Sequence, residues 1–165
     1  MPGSARKLVI GLLAVGGALI LYGLWPGGTG AVAKDLKRYV DRDLAPARAL
    51  ESQIAVLQDR VLGTTDHDAL RTVIRNEALP LQAKFEEAVM AVEPRTEEVK
   101  AVHLGIVEAA KTLRSALADI ETAIEAGDDG GLVLAKAQLR RGQGLAEKWR
   151  SDLHLLAGKV GLKLM

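Results

Sequence analysis

TEEVKAVHLGIVEAAKTLRSALADIETAIEA, residues 96–126, is the stretch of sequence that decides the fold. Its apolar side chains recur every three or four positions, which is the spacing of one face of an α-helix. A repeat of about 3.5 residues lets neighbouring helices pack nearly parallel along their length. The stretch therefore predicts a long helix that buries one face. That face consists of Val99, Val102, Ile106, Ala109, Leu113, Leu117, Ile120 and Ile124.

The same pattern occurs before and after this stretch. It predicts further helices at about 34–62, 66–92 and 129–162, so the four helices have roughly 27–32 residues each. No alternating β pattern competes with them. Four long helices joined by short turns are typical of an antiparallel up-down four-helix bundle, about 40–45 Å long. The predicted fold class of residues 34–165 is therefore all-α.

Residues that end or begin helices separate these stretches. Glycine favours the left-handed backbone that ends a helix, and Asp or Thr begins one because its side-chain oxygen accepts from a free backbone N–H. The predicted ends are Gly63 and Gly127. The predicted caps are Thr64, Thr65, Asp66, Thr96, and Asp128 or Asp129.

Two prolines lie inside predicted helices. Pro46 is close enough to the start of the first that the bundle is expected to begin near Asp43, with residues 34–44 as a stalk. Pro80 lies in the middle of the second, where it cannot donate to the carbonyl of Asn76 and is expected to kink the helix. We interpret the kink as fitting a curved helix to its neighbours; the alternative is a hinge or a pocket.

The N-terminus carries an apolar run, residues 8–25, of eighteen residues without a charge. As a helix it spans about 27 Å, close to the ~30 Å hydrocarbon thickness of a bilayer. Residues 1–7 form a basic flank and residues 26–33 a glycine-rich tether. The run is therefore predicted to be a transmembrane signal-anchor helix that binds membrane lipid.

A cleaved signal peptide is the alternative. Ala31-Val32-Ala33 offers a cleavage site, whereas Tyr22 and Trp25 suit the membrane–water boundary of an anchor. In both cases residues 34–165 are expected to be exported to the far side of the membrane, because the basic flank favours the cytoplasmic side. The expected location is the bacterial inner membrane, single-pass, with the C-terminal domain extracytoplasmic; after cleavage following Ala33 the domain would be periplasmic or secreted.

Composition excludes several functions. Residues 34–165 hold 20 basic and 21 acidic side chains, and their only aromatic residues are Tyr39, Phe85 and Trp149. This composition supplies neither the basic surface nor the stacking groups of a nucleic-acid binder. The chain has no cysteine, so it has no disulfide, no thiolate metal site and no thiol nucleophile.

The three histidines do not form a metal or catalytic motif. No glutamate precedes His67, His103 or His154 by three positions, so the Glu-x-x-His signature of di-iron bundles is missing. The Asp66-His67-Asp68 run is interpreted as a helix start rather than a metal site. We therefore predict no catalytic, metal or cofactor-binding residue, no cofactor and no enzyme activity.

Three single residues are interpreted from their positions on the helices, and for His103 and Trp149 an alternative remains. His103 is expected to make one hydrogen bond at a helix interface, and a ligand role is the alternative. Gly142 lies on the apolar face of the fourth helix, where its small size lets a neighbour approach. Trp149 follows two turns later on that face and is interpreted as a core residue, with a ligand pocket as the alternative.

A resemblance adds to this interpretation. Glu93-Pro-Arg-Thr-Glu-Glu-Val-Lys-Ala-Val-His103, followed by Val107-Glu-Ala-Ala110, resembles a hairpin of exported or membrane-anchored bacterial helical-bundle proteins without a known activity. In those proteins a helix containing a proline leads to a Pro-x-Thr-x-Glu-Val turn, a histidine and a long helix pair. The resemblance covers about residues 45–160. It implies a helical hairpin, and no site residue transfers.

These observations lead to one expected function and two alternatives. The chain is expected to be a non-enzymatic, membrane-tethered extracytoplasmic helical bundle that acts as an interaction or structural module of the bacterial cell envelope. Its partner would be another protein or a second copy of the chain. The alternatives are a small-ligand-binding or sensory domain that works with a partner, and a cleaved, freely exported helical protein.

Overall fold

The regular structure of the described chain is entirely helical. The computed structural model describes residues 29–164, and the prediction of an all-helical bundle is confirmed there. The predicted membrane helix at 8–25 lies outside these residues; within them, no helix is both long and apolar enough to cross a bilayer. The α-helices are α1 (Thr29–Arg38), α2 (Ala45–Gly63), α3 (His67–Val73), α4 (Leu79–Met90), α5 (Glu97–Ala126) and α6 (Asp129–Lys159).

Two π-helical turns connect the shorter helices into longer segments. Tyr39–Asp43 leads from α1 towards α2, and Ile74–Ala78 leads from α3 into α4. Each turn comes just before a proline, Pro46 or Pro80. Proline lacks an N–H and its ring crowds the carbonyl four residues earlier, and the wider π turn relieves that crowding. Both prolines are thus accommodated without a break in the helical path.

The first helical segment begins earlier than the sequence predicted. α1 starts at Thr29, so residues 29–33 of the expected tether are helical. Val32, Leu36 and Tyr39 are at most 3% exposed. Their spacing of four and three residues continues the buried face of α2 towards the N-terminus. Residues 34–44 therefore pack in the bundle and do not form a stalk.

Most of the predicted helix ends are found in the structure. Asp66 Oδ1 accepts from Ala69 N at 2.7 Å, and Asp128 Oδ1 accepts from Gly131 N at 2.9 Å, so both residues cap the helices that follow. Gly127 ends α5 with a φ of 63°. Thr96 takes the N-terminal cap position of α5, but the prediction that its side chain caps the helix was wrong.

Consecutive helical segments run in opposite directions, as the residue pairs between them show. Gly105 lies against Trp149, and Gly142 lies against Leu113 further along the same two helices, α5 and α6. α3 and α4 pack beside α5 in the same manner. Arg75 of the π turn between them reaches Glu121 and Glu125, and Glu86 pairs with Arg114.

The core is divided into two apolar clusters along the bundle axis. The proximal core surrounds α1, the C-terminal half of α4 and the start of α5, and its largest side chains are Leu36, Tyr39, Leu44, Phe85 and Trp149. The distal core lies towards the α5–α6 turn, and its largest side chains are Leu70, Ile74, Leu113, Leu117, Ile120 and Leu139. Burial of these side chains is the main source of stability, at about 1.5–3 kcal/mol for each large residue.

Three glutamines lie between the two clusters, and we call them the glutamine layer: Gln58, Gln82 and Gln143. Gln82 is 2% exposed, and its Nε2 donates to the carbonyl oxygen of Ala110 at 3.2 Å. Gln58 is 7% exposed, and its Oε1 accepts from Gln143 Nε2 at 3.1 Å. These hydrogen bonds offset part of the cost of burying the amides, and they link α2 to α6 and α4 to α5.

Gly142 allows the close approach of α5 and α6. A Cβ at this position would lie 2.7 Å from Leu113 Cδ2 and 3.3 Å from the backbone N of Leu113. Both distances are shorter than a carbon normally accepts. The interpretation of Gly142 as a small residue at a helix contact is therefore confirmed, and any larger side chain must displace the Leu113 side chain or move the two longest helices apart.

We expect Gly142→Ala to lower the free energy of unfolding by about 1–2 kcal/mol, because overpacking outweighs the better helix propensity of alanine. Gly144→Ala is the matched control, since a Cβ there meets nothing within 4 Å. It should raise the free energy by about 0.5–1 kcal/mol. Urea unfolding followed by circular dichroism measures both. Equal effects from the two substitutions would contradict the close contact.

Candidate functional site

The Asp35 carboxylate caps the N-terminus of α5 from a different helix. Its Oδ2 accepts from Thr96 N at 2.7 Å, Arg95 N at 2.9 Å and Thr96 Oγ1 at 3.0 Å. The side chain is almost fully buried. Backbone N–H groups at a helix start favour a negative charge, so Asp35 takes the place of a local cap. The contact joins α1 to the turn before α5.

Arg38 extends this cap into an ionic cluster. Its Nη2 donates to Asp35 Oδ1 at 3.0 Å and to the Glu93 carbonyl oxygen at 3.2 Å, and it lies 3.3 Å from Asp43 Oδ2. Burial by itself raises the pKa of the Asp35 carboxyl, but the hydrogen bonds from Thr96, Arg95 and Arg38 outweigh it. The pKa is therefore lower than its usual 3.8, and Asp35 is charged at neutral pH.

We expect Asp35→Asn to lower the free energy of unfolding by about 1–3 kcal/mol, because an amide cannot accept from Arg38 and from the backbone N–H groups of Arg95 and Thr96 at the same time. Asp41→Asn is the control: Asp41 is exposed, and its one ion pair within residues 29–164 is with Lys37, so the change should be below about 0.5 kcal/mol. Urea unfolding of both variants measures the difference. If Asp35→Asn changes the free energy of unfolding as little as Asp41→Asn does, the Asp35 cap does not stabilise the fold.

A second buried polar contact lies where the π turn after α1 meets α5 and α6. The Tyr39 hydroxyl and His103 Nδ1 are 3.1 Å apart, and the two rings meet edge to face with centroids 5.6 Å apart. Trp149 is 5% exposed, and its Nε1 has no hydrogen-bond partner among residues 29–164. The expectation that His103 makes one hydrogen bond at a helix interface is confirmed, and Trp149 is a core residue.

Burial controls the protonation of this pair. Desolvation lowers the pKa of the His103 imidazole below its usual 6.5, so the folded protein keeps the ring neutral. Burial also raises the pKa of the Tyr39 phenol well above 10, and closeness to the Trp149 indole opposes this only weakly. The neutral imidazole can therefore accept from the Tyr39 hydroxyl.

Acidification should destabilise the protein through His103. His103 binds a proton near pH 6.5 in the unfolded chain and only at lower pH in the folded one. The stability that the neutral imidazole contributes is therefore fully present above pH 6.5 and is lost as the pH falls below that value. We expect the free energy of unfolding to fall more steeply between pH 7 and 5 in the wild type than in His103→Gln. The exposed His154→Gln is the control and should keep the wild-type slope. Parallel pH profiles for the wild type and His103→Gln would rule out this effect.

An opening beside the glutamine layer lies between α2 and α6. It has a volume of about 300 Å³. Its floor is apolar, and its rim carries charged side chains of α2 and α6. Gln58 and Gln143 line it, and Gln58 Nε2 has no hydrogen-bond partner in the described part of the chain. The opening therefore combines apolar surface with a buried, unused donor.

The structure does not bring the three histidines together. His67 is exposed, with Nε2 3.7 Å from Asp129 Oδ1, and His154 is exposed on α6, whereas His103 is buried. Within residues 29–164 no cluster of three or more His, Asp or Glu side chains is arranged to hold a metal ion. Asp66 acts as a helix cap.

Sequence reasoning did not identify Asp35 or the glutamine layer. Asp35 lies 60 residues from its partner Arg95, so no local pattern indicates the contact. Gln58 does carry a signal, because it follows Ile54 by four residues and precedes Val61 by three, on the buried face of α2. A polar residue on such a face predicts a buried hydrogen bond.

The chain matches no protein-family model, no curated protein and no solved structure. Its function is therefore inferred from its own residues.

Proposed function

We propose that this chain is a non-enzymatic, membrane-tethered extracytoplasmic bundle, an antiparallel up-down arrangement of four helical segments, that acts as an interaction or structural module of the bacterial cell envelope. The observation that carries the proposal is the packing of α1. This helix follows the apolar run in the sequence and is part of the bundle core, since Leu36 of α1 and Tyr39 of the π turn after it have no exposed surface.

The short spacing between the apolar run and α1 supports close attachment to the membrane. Only residues 26–28 separate Trp25 from the start of α1, and three residues span at most about 10 Å. Asp35 then fixes α1 to the start of α5. The α1 end of the bundle, with the turn between α4 and α5, would therefore face the membrane.

The packing of α1 also favours an anchor over a cleaved signal peptide. Cleavage after Ala33 would remove residues 29–33 of α1, including Val32, which is 3% exposed in the proximal core. A cut there would expose apolar surface and shorten the helix that carries Asp35. An uncleaved N-terminus keeps Val32 in the proximal core and α1 at its full length.

The location is tested with the expressed full-length protein. We expect its intact mass in the membrane fraction to be that of the uncut chain. Because the chain has no cysteine, single substitutions report the side of the membrane: the exposed Gln138→Cys should react with an impermeant maleimide applied outside the inner membrane. Ser4→Cys is the control and should react only after the membrane is opened.

Two results would contradict the proposal. A mature protein that lacks its first 33 residues and is recovered in the soluble fraction would identify the freely exported alternative. Labelling of Ser4→Cys, but not of Gln138→Cys, from outside would place the bundle on the cytoplasmic side.

A further inference from the structure

We propose that the opening between α2 and α6 is a binding site for a small molecule with an apolar body, a hydrogen-bond acceptor and a cationic end. The site is independent of the membrane anchor, because every residue that forms it belongs to the helical bundle. It lies beside the glutamine layer, between the proximal and the distal core. This ligand site goes beyond the proposed role as a tethered module.

The apolar body of the ligand would contact the floor of the opening. Ile54 and Phe85 belong to the proximal core, as does Ile106, and Leu113 belongs to the distal core. A ligand seated there would bury apolar surface from both clusters. The volume of about 300 Å³ lies at the lower end of the range for small-molecule sites and matches a compact single-ring molecule.

Gln58 supplies the donor. Its side chain is 93% buried, its Oε1 accepts from Gln143 Nε2, and its Nε2 has no partner although the residue lines the opening. The Nε2 atom itself has almost no accessible surface, so a rotation of the Gln58 amide towards the opening is part of the proposal. An unpaired buried N–H₂ group costs free energy, and an acceptor on a ligand would remove that cost after this rotation. A carbonyl oxygen is the simplest group that accepts and does not donate.

The rim selects the charge of the ligand. Glu51 and Asp59 of α2 and Glu147 of α6 are acidic, and Arg150 of α6 is the basic residue among these four. The local excess of negative charge favours a cation and disfavours an anion. The three features together define a small aminoketone-like amphiphile.

The binding test uses three single-ring probes of similar size on the full-length protein in phosphatidylcholine nanodiscs. 4-(Aminomethyl)acetophenone has the ring, the ketone and the cation; 4-ethylbenzylamine lacks the ketone; 4-acetylbenzoate carries an anion instead. We expect dissociation constants on the order of 0.1–1 mM for the first probe. The other two should bind about tenfold more weakly, one for lack of the acceptor and one for its charge.

Side-chain amide signals of ¹⁵N-labelled glutamine report the position of binding. The chain has five glutamines. Gln58 and Gln143 should shift with saturation when the aminoketone is added, while the exposed Gln53 and Gln138 should stay unchanged. A shift of all five signals would indicate non-specific binding and overturn the proposal.

Gln58→Met keeps the length of the side chain and removes the donor. It should abolish the tenfold preference for the ketone over the ethyl probe, whereas the exposed Gln53→Met should retain it. Ala146→Phe, which fills the opening, should reduce binding of all three probes at least tenfold; Ala146 lines the site and is half-buried. Circular dichroism melts establish that each variant is folded.

Three further results would also overturn the proposal. The first is no saturable shift at Gln58 with up to 10 mM aminoketone, which is about ten times the weakest affinity expected. The second is equal affinity for the ketone and ethyl probes in the wild type. The third is binding that Ala146→Phe leaves unchanged.

Discussion

The capping of α5 by Asp35 is the interaction on which the arrangement of this bundle depends. A helix of 30 residues begins at Glu97 without a side-chain cap of its own, and its first N–H groups need an acceptor. Asp35 of α1 accepts from the N–H groups of Arg95 and Thr96, the two residues that lead into α5, about 60 residues further along the chain. Forming this contact requires α3 and α4 to run back beside α1 and α2, so one carboxylate links the first helical segment to the start of the third.

A different constraint holds the other half of the bundle together. α5 and α6 approach closely at Gly142, and polar contacts of the glutamine layer link α6 to α2 and α5 to α4. Apolar burial drives association but does not fix the axial register of helices, whereas paired amides do, because a shift of one turn leaves them unpaired. The glutamine layer thus sets the register and also leaves an unpaired amide donor on Gln58, whose side chain lines the proposed ligand site.

The helices and their ends could be predicted because they depend on neighbouring residues. The seam at Val99–Ile124, the cap at Asp66 and the stop at Gly127 each follow from residues within one or two turns. The effect of Pro46 was predicted incorrectly, since residues 34–44, which were expected to form a stalk, pack in the bundle through α1 and the π turn. Asp35 and the unpaired amide of Gln58 could not be predicted, because their roles depend on residues of other helices.

The central claim is that the helix nearest the predicted anchor is an integral part of the bundle. Hydrogen exchange of the backbone amides in the full-length protein tests this claim most directly. The account predicts that amides from Leu36 to Tyr39 exchange through the same cooperative opening as those in the middle of α5, with protection within about tenfold of each other. Exchange of this stretch at the rate of an unstructured chain, while α5 stays protected, would show that α1 is a stalk and would contradict the account.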